Sequence, residues 1–250
     1  MVDTAFLEIK DLRKSFGGLM AIDSVSLKIT EGSYTSIIGP NGAGKTTLFN
    51  VISGYYPSDS GKVIFRGNDI TNMSIERISR QGIVRSFQLV SIFPRFTVYE
   101  SVLMCLLAWV RKTHNFFSPA RRFGREETEE VLESIGLKDR TQHLAAELSA
   151  GDRKRLEIGM AIVQHPKLLL LDEPTSGMSP TESDATIKLI QTLSKERGLT
   201  VLFTEHDMRV VFSISETVRV MHKGKMIAEG PPEAIKADEL VQKVYLGEAE

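Results

Sequence analysis

The sequence predicts an α/β fold on a parallel-type sheet, with a helical lobe inserted between two parts of it. Three observations lead there. Short apolar runs alternate with helical patterns at both ends of the chain. A glycine-rich turn joins one such run to a helix. Residues 89–163 carry helix signals and no strand signal.

The first elements read as strands. Phe6 to Leu12 and Val25 to Ile29 alternate apolar and polar residues, the pattern of half-buried strands. Tyr34 to Gly39 is a mostly apolar strand running straight into the glycine-rich turn, and a helix follows from near Lys45 to Gly54. Gly61 to Phe65 and Ile83 to Phe87 read as further strands, with a short helix around Ile75 to Arg80 between them. Thr97-Val98-Tyr99-Glu100 has the spacing of a capping box and opens a helix to about Val110. A basic loop holding Arg111, Lys112, Arg121, Arg122 and Arg125 comes next, then a helix from about Glu126 to Ile135 stopped by Gly136. Lys167 to Leu171 and Thr200 to Thr204 are strands separated by a helix opened by Ser179-Pro180. Val218 to Glu229 reads as a hairpin turning at Lys223-Gly224, and two short helices follow Pro231-Pro232.

Composition narrows the function class. With 250 residues, 42% of them hydrophobic, the chain can build one substantial core or a core plus a lobe. A net charge of −1 supplies no basic field for nucleic acid or anionic lipid. Cys105 is the single cysteine, so an internal disulfide and a cysteine-based zinc site are excluded, and a reducing compartment fits. The N-terminus lacks a signal-peptide pattern. The longest apolar run, Val102 to Val110, falls far short of the roughly 20 residues that span a bilayer.

Two motifs carry chemistry. Gly39-Pro40-Asn41-Gly42-Ala43-Gly44-Lys45-Thr46 matches a phosphate-binding loop and lies between a strand and a helix, as that motif requires. Its glycines let backbone N–H groups curl around phosphate, and the following helix adds its positive end. Lys45 is suited to neutralise β and γ phosphates of a nucleotide, and the Thr46 hydroxyl to ligate Mg²⁺. Leu168-Leu169-Leu170-Leu171-Asp172-Glu173 is a buried strand ending in two carboxylates. So apolar a strand belongs in the sheet centre, where its C-terminal end opens onto the ligand crevice. Asp172 then suits the Mg²⁺ shell, and Glu173 is placed to polarise a water for attack on the γ-phosphate. These motifs alone define a nucleotide triphosphatase.

A third run narrows it further. Leu148-Ser149-Ala150-Gly151-Asp152 precedes a helix with Ser149 at the N-cap, which serves equally as a helix cap and as a phosphate-binding helix start. In order and spacing the chain resembles, over essentially its whole length, the nucleotide-binding subunits of ABC transporters. The resemblance implies ATP and Mg²⁺ as ligands, and a RecA-like P-loop core with an N-terminal antiparallel β subdomain and an inserted α-helical subdomain. The core then takes residues 1–88 and 164–250, and the helical subdomain 89–163. It extends the phosphate loop to Thr47 and makes Leu148 to Asp152 the signature that serves the opposite subunit's ATP. Gln88 is implied as the glutamine after the strand, shared between catalysis and the metal; His206 as the switch histidine; Phe16 as the aromatic that stacks on adenine. Taken singly, these three residues read as polar surface, a structural histidine and core.

Two departures from the family pattern stand out: Ala150 and Asp152 replace a glycine and a glutamine in the signature, and Ser179 stands where the subunit-contact loop often has aspartate. Ser15-Phe16-Gly17-Gly18-Leu19, Arg85-Ser86-Phe87-Gln88, Leu156-Glu157-Ile158-Gly159-Met160 and Ser176-Gly177-Met178-Ser179-Pro180 bring the resemblance closest to ATP-binding subunits of branched-chain amino acid importers. Importers of urea, short amides and aromatic acids are similar at this level, so a related small polar solute stands beside branched-chain amino acids as the implied cargo. The implied partners are a second ATPase subunit, identical or different, two transmembrane permease subunits and, indirectly, a periplasmic or extracellular solute-binding protein. The implied location is the cytoplasmic face of the membrane. An exporter engine is the alternative within the family. Beyond it stand a DNA- or ribosome-acting ATPase, which would need paired units or a basic groove, and a monomeric nucleotide switch. Phe93, Phe96 and Tyr99 are candidates for gripping a membrane partner, as is the stretch His143 to Leu148.

Overall fold

The computed structural model describes residues 5–86, 93, 95–110 and 124–246. The N-terminal part is a four-stranded antiparallel sheet in the order β2-β1-β4-β5, from β1 (Leu7–Phe16), β2 (Leu19–Ile29), β4 (Ser60–Phe65) and β5 (Asn68–Asp69). β1 and β2 run longer than their alternating cores because the Gly17-Gly18 turn lets them pair to the tip, Phe16 opposite Leu19.

The second sheet has six strands in the order β10-β9-β3-β8-β7-β6. β3 (Tyr34–Ile38) pairs in parallel with β8 (Thr200–Thr204) and β9 (Thr217–His222), and β7 (Leu168–Asp172) in parallel with β8 and β6 (Ile83–Arg85). Only β10 (Lys225–Gly230) is antiparallel, joined to β9 by the Lys223-Gly224 turn. The α/β class and the antiparallel N-terminal sheet are therefore as the sequence predicts.

β7 shows how the sheet builds its core. Leu168 and Leu170 join a cluster with Phe49, Ile52 and the antiparallel sheet's Leu7 and Ile9. Leu169 and Leu171 point the other way, into a cluster with Val201, Phe203, Val102, Val131, Leu156 and Ile162. The period of two explains why four successive leucines are needed: both faces are covered, and each buried leucine contributes about 1.5–3 kcal/mol.

The helices that matter for the site begin with α1 (Lys45–Ile52), followed by α2 (Ile75–Gln81). The described middle of the chain holds α3 (Val98–Trp109), α4 (Arg125–Ser134) and α5 (Ala150–Ile162). α3 opens on the expected reciprocal cap, with Glu100 N donating to Thr97 Oγ1 and Thr97 N to Glu100 Oε2. α6 (Pro180–Arg197) opens the same way through Ser179 and Glu182 with proline at its start, and ends at left-handed Gly198. One helix escaped the sequence reading: α7 (Met208–Ile214), capped by Asp207, whose carboxylate accepts from Arg209 N. α8 (Pro232–Ala237) and α9 (Glu239–Leu246) close the described chain. None of the described helices is long and apolar enough to cross a membrane.

Candidate nucleotide site

β3 delivers the chain into the loop Gly39 to Gly44, and α1 leaves it at Lys45. Two glycines are obligatory there for different contacts. At Gly39 (φ +153°) a Cβ would lie 2.0 Å from the Met221 carbonyl oxygen of β9; at Gly44 (φ +104°) it would lie 2.3 Å from the Ala21 carbonyl oxygen of β2. Both sheets thus press on the loop from behind, while Asn41 and Gly42 are exposed at its front. No side chain caps the N-terminus of α1, so its first N–H groups remain for an anion.

Lys45 is buried, and its Nζ donates to the carbonyls of Gly39 (2.6 Å) and Pro40 (3.1 Å). Burial holds its ammonium below the ordinary lysine value, and the nearby charges of Glu173 and Asp172 pull it back up. That ammonium is curled onto its own loop, within electrostatic reach of both carboxylates at the end of β7.

Asp172 is 1% exposed and held from two sides. Arg85 at the end of β6 donates to its Oδ2 at 2.7 Å, and Thr204 at the end of β8 donates to its Oδ1 at 2.6 Å. Both partners come from the parallel ladder, which sets Thr204 directly opposite Asp172 and Arg85 opposite Leu170. Arg85 also donates to Asn50 Oδ1 on α1, tying the phosphate-loop helix to the acidic strand end.

Glu173 has φ +49°, a left-handed conformation that is uncommon for a residue with a side chain. Its N–H donates to Thr204, to both the carbonyl and the hydroxyl oxygen. Its carboxylate faces His206, with Nε2 at 2.9 Å from Oε1. A carboxylate only accepts, so Nε2 carries the proton in this contact. Glu205, 3% exposed, accepts from Thr175 N (2.8 Å) and Thr175 Oγ1 (2.6 Å) and so ties the turn after Glu173 to the His206 loop.

Ser149 caps α5, accepting from Asp152 N at 3.2 Å. The cap is not reciprocal: the Asp152 carboxylate turns to Arg140 at 3.0 Å. The charge that replaces glutamine in this run is thereby answered within the chain. A Cβ on Gly151 would lie 3.2 Å from Glu182 Oε1, so the start of α5 sits against the cap of α6. Ala150 and the α5 side chains Arg153 and Lys154 line a cleft together with Asp172 and Glu173.

Phe16 ends β1 at the hairpin tip with 43% of its surface exposed, so it is not core. The next strand reaches the phosphate loop through Ala21, which places the tip on the loop's flank. Thr46 and Thr47 are half-buried in the first turn of α1. Gln88 lies outside the described residues, as do Arg111, Lys112, Arg121 and Arg122. Phe93 is exposed and stacks on Phe96 at 4.8 Å, whereas Tyr99 packs against the large cluster.

The structure thus brings Lys45, Asp172 and His206 close to Glu173, and adds Arg85, Thr204 and Glu205, to which the sequence assigned no role. Thr204 had a signal, being a polar end to a buried strand. Arg85 and Glu205 stand in the sequence only as members of the runs Arg85 to Gln88 and Thr204 to Asp207, and their partners appear once the chain is folded.

Residues 22–176 match the family described as ABC transporter, and residues 225–250 the one described as branched-chain amino acid ATP-binding cassette transporter. The high-affinity branched-chain amino acid transport ATP-binding protein of Pseudomonas aeruginosa is 40% identical over 254 residues, covering 97% of this chain and 98% of its own. Among solved structures, the ADP conformation of an ATP-binding cassette of an ABC transporter superposes with a TM-score of 0.85 at 33% identity, covering 98% of this chain and 99% of that one. A dimeric cassette bound to ADP and Pi in a post-hydrolysis state gives 0.77 at 26% identity, over 90% and 98%. Family match, near-complete coverage and shared fold agree: this chain belongs to the ABC transporter family, as one of its ATP-hydrolysing, ATP-binding subunits.

Proposed function

We propose that the chain hydrolyses ATP with Mg²⁺ between two ATPase subunits at the cytoplasmic face of a membrane, and so drives uptake of branched-chain amino acids through two permease subunits. The observation that carries the chemistry is the Glu173–His206 contact beside Asp172 and Lys45. The observation that carries the cargo is the match of residues 225–250 to the branched-chain amino acid family.

In this reading the loop Gly39 to Thr47 wraps the phosphates with backbone N–H groups, and Lys45 leaves its two carbonyls for the β and γ oxygens. Thr46 and Asp172 supply the hard oxygen donors that suit Mg²⁺, with Gln88 as a further ligand. Asp172 fits because Arg85 and Thr204 use one lone pair on each of its oxygens and leave others for a metal or its water. Held by these residues, Mg²⁺ would offset the negative charge of the phosphates. Glu173 accepts a proton from the attacking water, and His206 holds the Glu173 carboxylate in line. Phe16 receives the adenine. Leu148 to Asp152 contact the ATP of the opposite subunit. Residues 1–88 and 164–250 form the engine, and 89–163 the lobe that meets the permeases, with Phe93 and Phe96 offered to them.

The test is purification from membranes with associated proteins, followed by vesicle transport. The reading requires two permeases, an ATPase partner and ATP-dependent accumulation of leucine, isoleucine or valine supplied with the solute-binding protein. ATP-dependent export, or no movement of these amino acids, would contradict the cargo assignment.

A further inference from the structure

An exposed phenylalanine at a hairpin tip is ordinarily free to swing, but Phe16 is braced on several sides. Asp59, just before β4, accepts from Ser15 N and Ser15 Oγ, both at 2.6 Å, and from Lys14 Nζ at 3.1 Å. These donors hold the Asp59 carboxyl below its usual range. Held in this way, the Lys14 ammonium lies over the Phe16 ring, 5.3 Å from its centroid, and the Lys14 side chain is only 12% exposed. Tyr56 meets the same ring edge-on at 5.2 Å. Tyr56 is itself anchored, because its N–H donates to the Asn50 carbonyl of α1. The segment 56–59 therefore fixes the ring relative to the helix that starts at Lys45.

We propose that Asp59, Lys14 and Tyr56 are positioning residues that hold Phe16 as a preformed platform for the flat, electron-rich base of a purine nucleotide. This rests on the reading of Phe16 as the base-stacking residue and extends it to the residues that make the stacking effective. The physical reason has two parts. A ring fixed before the ligand arrives loses little freedom on binding, so more of the stacking energy appears as affinity. A cation over the ring draws π density toward itself, which lessens the repulsion between ring and base where they stack. Tyr56, tied to α1, sets the distance between the base platform and the phosphate loop.

The experiment measures affinity of the full-length chain for ATP and for inorganic tripolyphosphate, both with Mg²⁺. Tripolyphosphate reports the phosphate loop without a base. Lys14→Met and Asp59→Ala are expected to weaken ATP about three- to fivefold, the scale of an exposed cation–π contact, and to leave tripolyphosphate affinity unchanged. Lys14→Arg, which keeps a cation over the ring, should restore ATP affinity. Phe16→Ala separates the two levels of the proposal. If it leaves ATP affinity unchanged, Phe16 is not the base platform and the underlying reading fails. If Phe16→Ala weakens ATP while Lys14→Met and Asp59→Ala do not, the platform stands and the brace is overturned. Parallel loss of tripolyphosphate in the Lys14 and Asp59 variants would also overturn it, by showing general damage to the site.

Discussion

Glu173 occupies a backbone conformation that costs about 1–3 kcal/mol and persists because its surroundings hold it. Thr204 does much of that holding. One side chain donates to Asp172 Oδ1 and accepts from Glu173 N, so it holds the Asp172 carboxylate and the Glu173 backbone at once. Thr204→Val keeps the shape and removes both bonds, leaving a buried carboxylate oxygen short of a donor. Stability is expected to fall by about 1–3 kcal/mol, and turnover to drop with it even where the protein remains folded. Thermal unfolding and steady-state ATPase rates on the same preparation check this. Unchanged turnover would mean that the carboxylates are positioned without Thr204. At this scale the sequence was informative about identity and silent about partners. Asp172 and Glu173 stand out in the sequence as the acidic end of an all-leucine strand, and His206 only through the family resemblance. The Arg85–Asp172 bond joins residues 87 positions apart, and it exists only because β6 lies beside β7.

Elements were most legible where local chemistry decides them. The Thr97–Glu100 and Ser179–Glu182 caps, the Lys223-Gly224 turn and the all-leucine strand each follow from interactions within a few residues or from burial on both faces. α7 is not legible in the sequence because its seven residues give too short a stretch for a helical period to show. The lengths of β1 and β2 were missed for a different reason: pairing across a two-glycine turn extends strands past the point where alternation stops. The start of α5 shows the limit of local reading. Ser149 is a true cap, and a cap is what an isolated chain needs. The second role proposed for it, toward the other subunit's ATP, needs two molecules. Ser149→Arg places a long cation at that helix start and is expected to abolish hydrolysis while sparing ATP binding to the isolated subunit. Equilibrium binding on the monomer beside ATPase assays on the assembled transporter tests this. Equal loss of monomer binding would make Ser149 a local cap or ligand only.

At the scale of the whole molecule, the chain brings Lys45, Asp172 and His206 close to Glu173, and the start of α5 lines a cleft with Asp172 and Glu173. In the proposed cycle two ATPase subunits close on ATP, and Glu173 ends the closed state by activating water. Glu173→Gln isolates that step. Glutamine is nearly isosteric and keeps hydrogen-bonding capacity, but it cannot act as a carboxylate base, so turnover should fall roughly 10²-fold or more with binding retained. ATP that binds and is not consumed then stabilises the closed dimer by mass action. The measurement is size-exclusion chromatography of Glu173→Gln with Mg²⁺ and ATP, together with the partner ATPase where the two subunits differ. A dimer that forms with ATP and falls apart without it is the predicted result. A monomer that hydrolyses ATP at the unsubstituted rate would contradict the account.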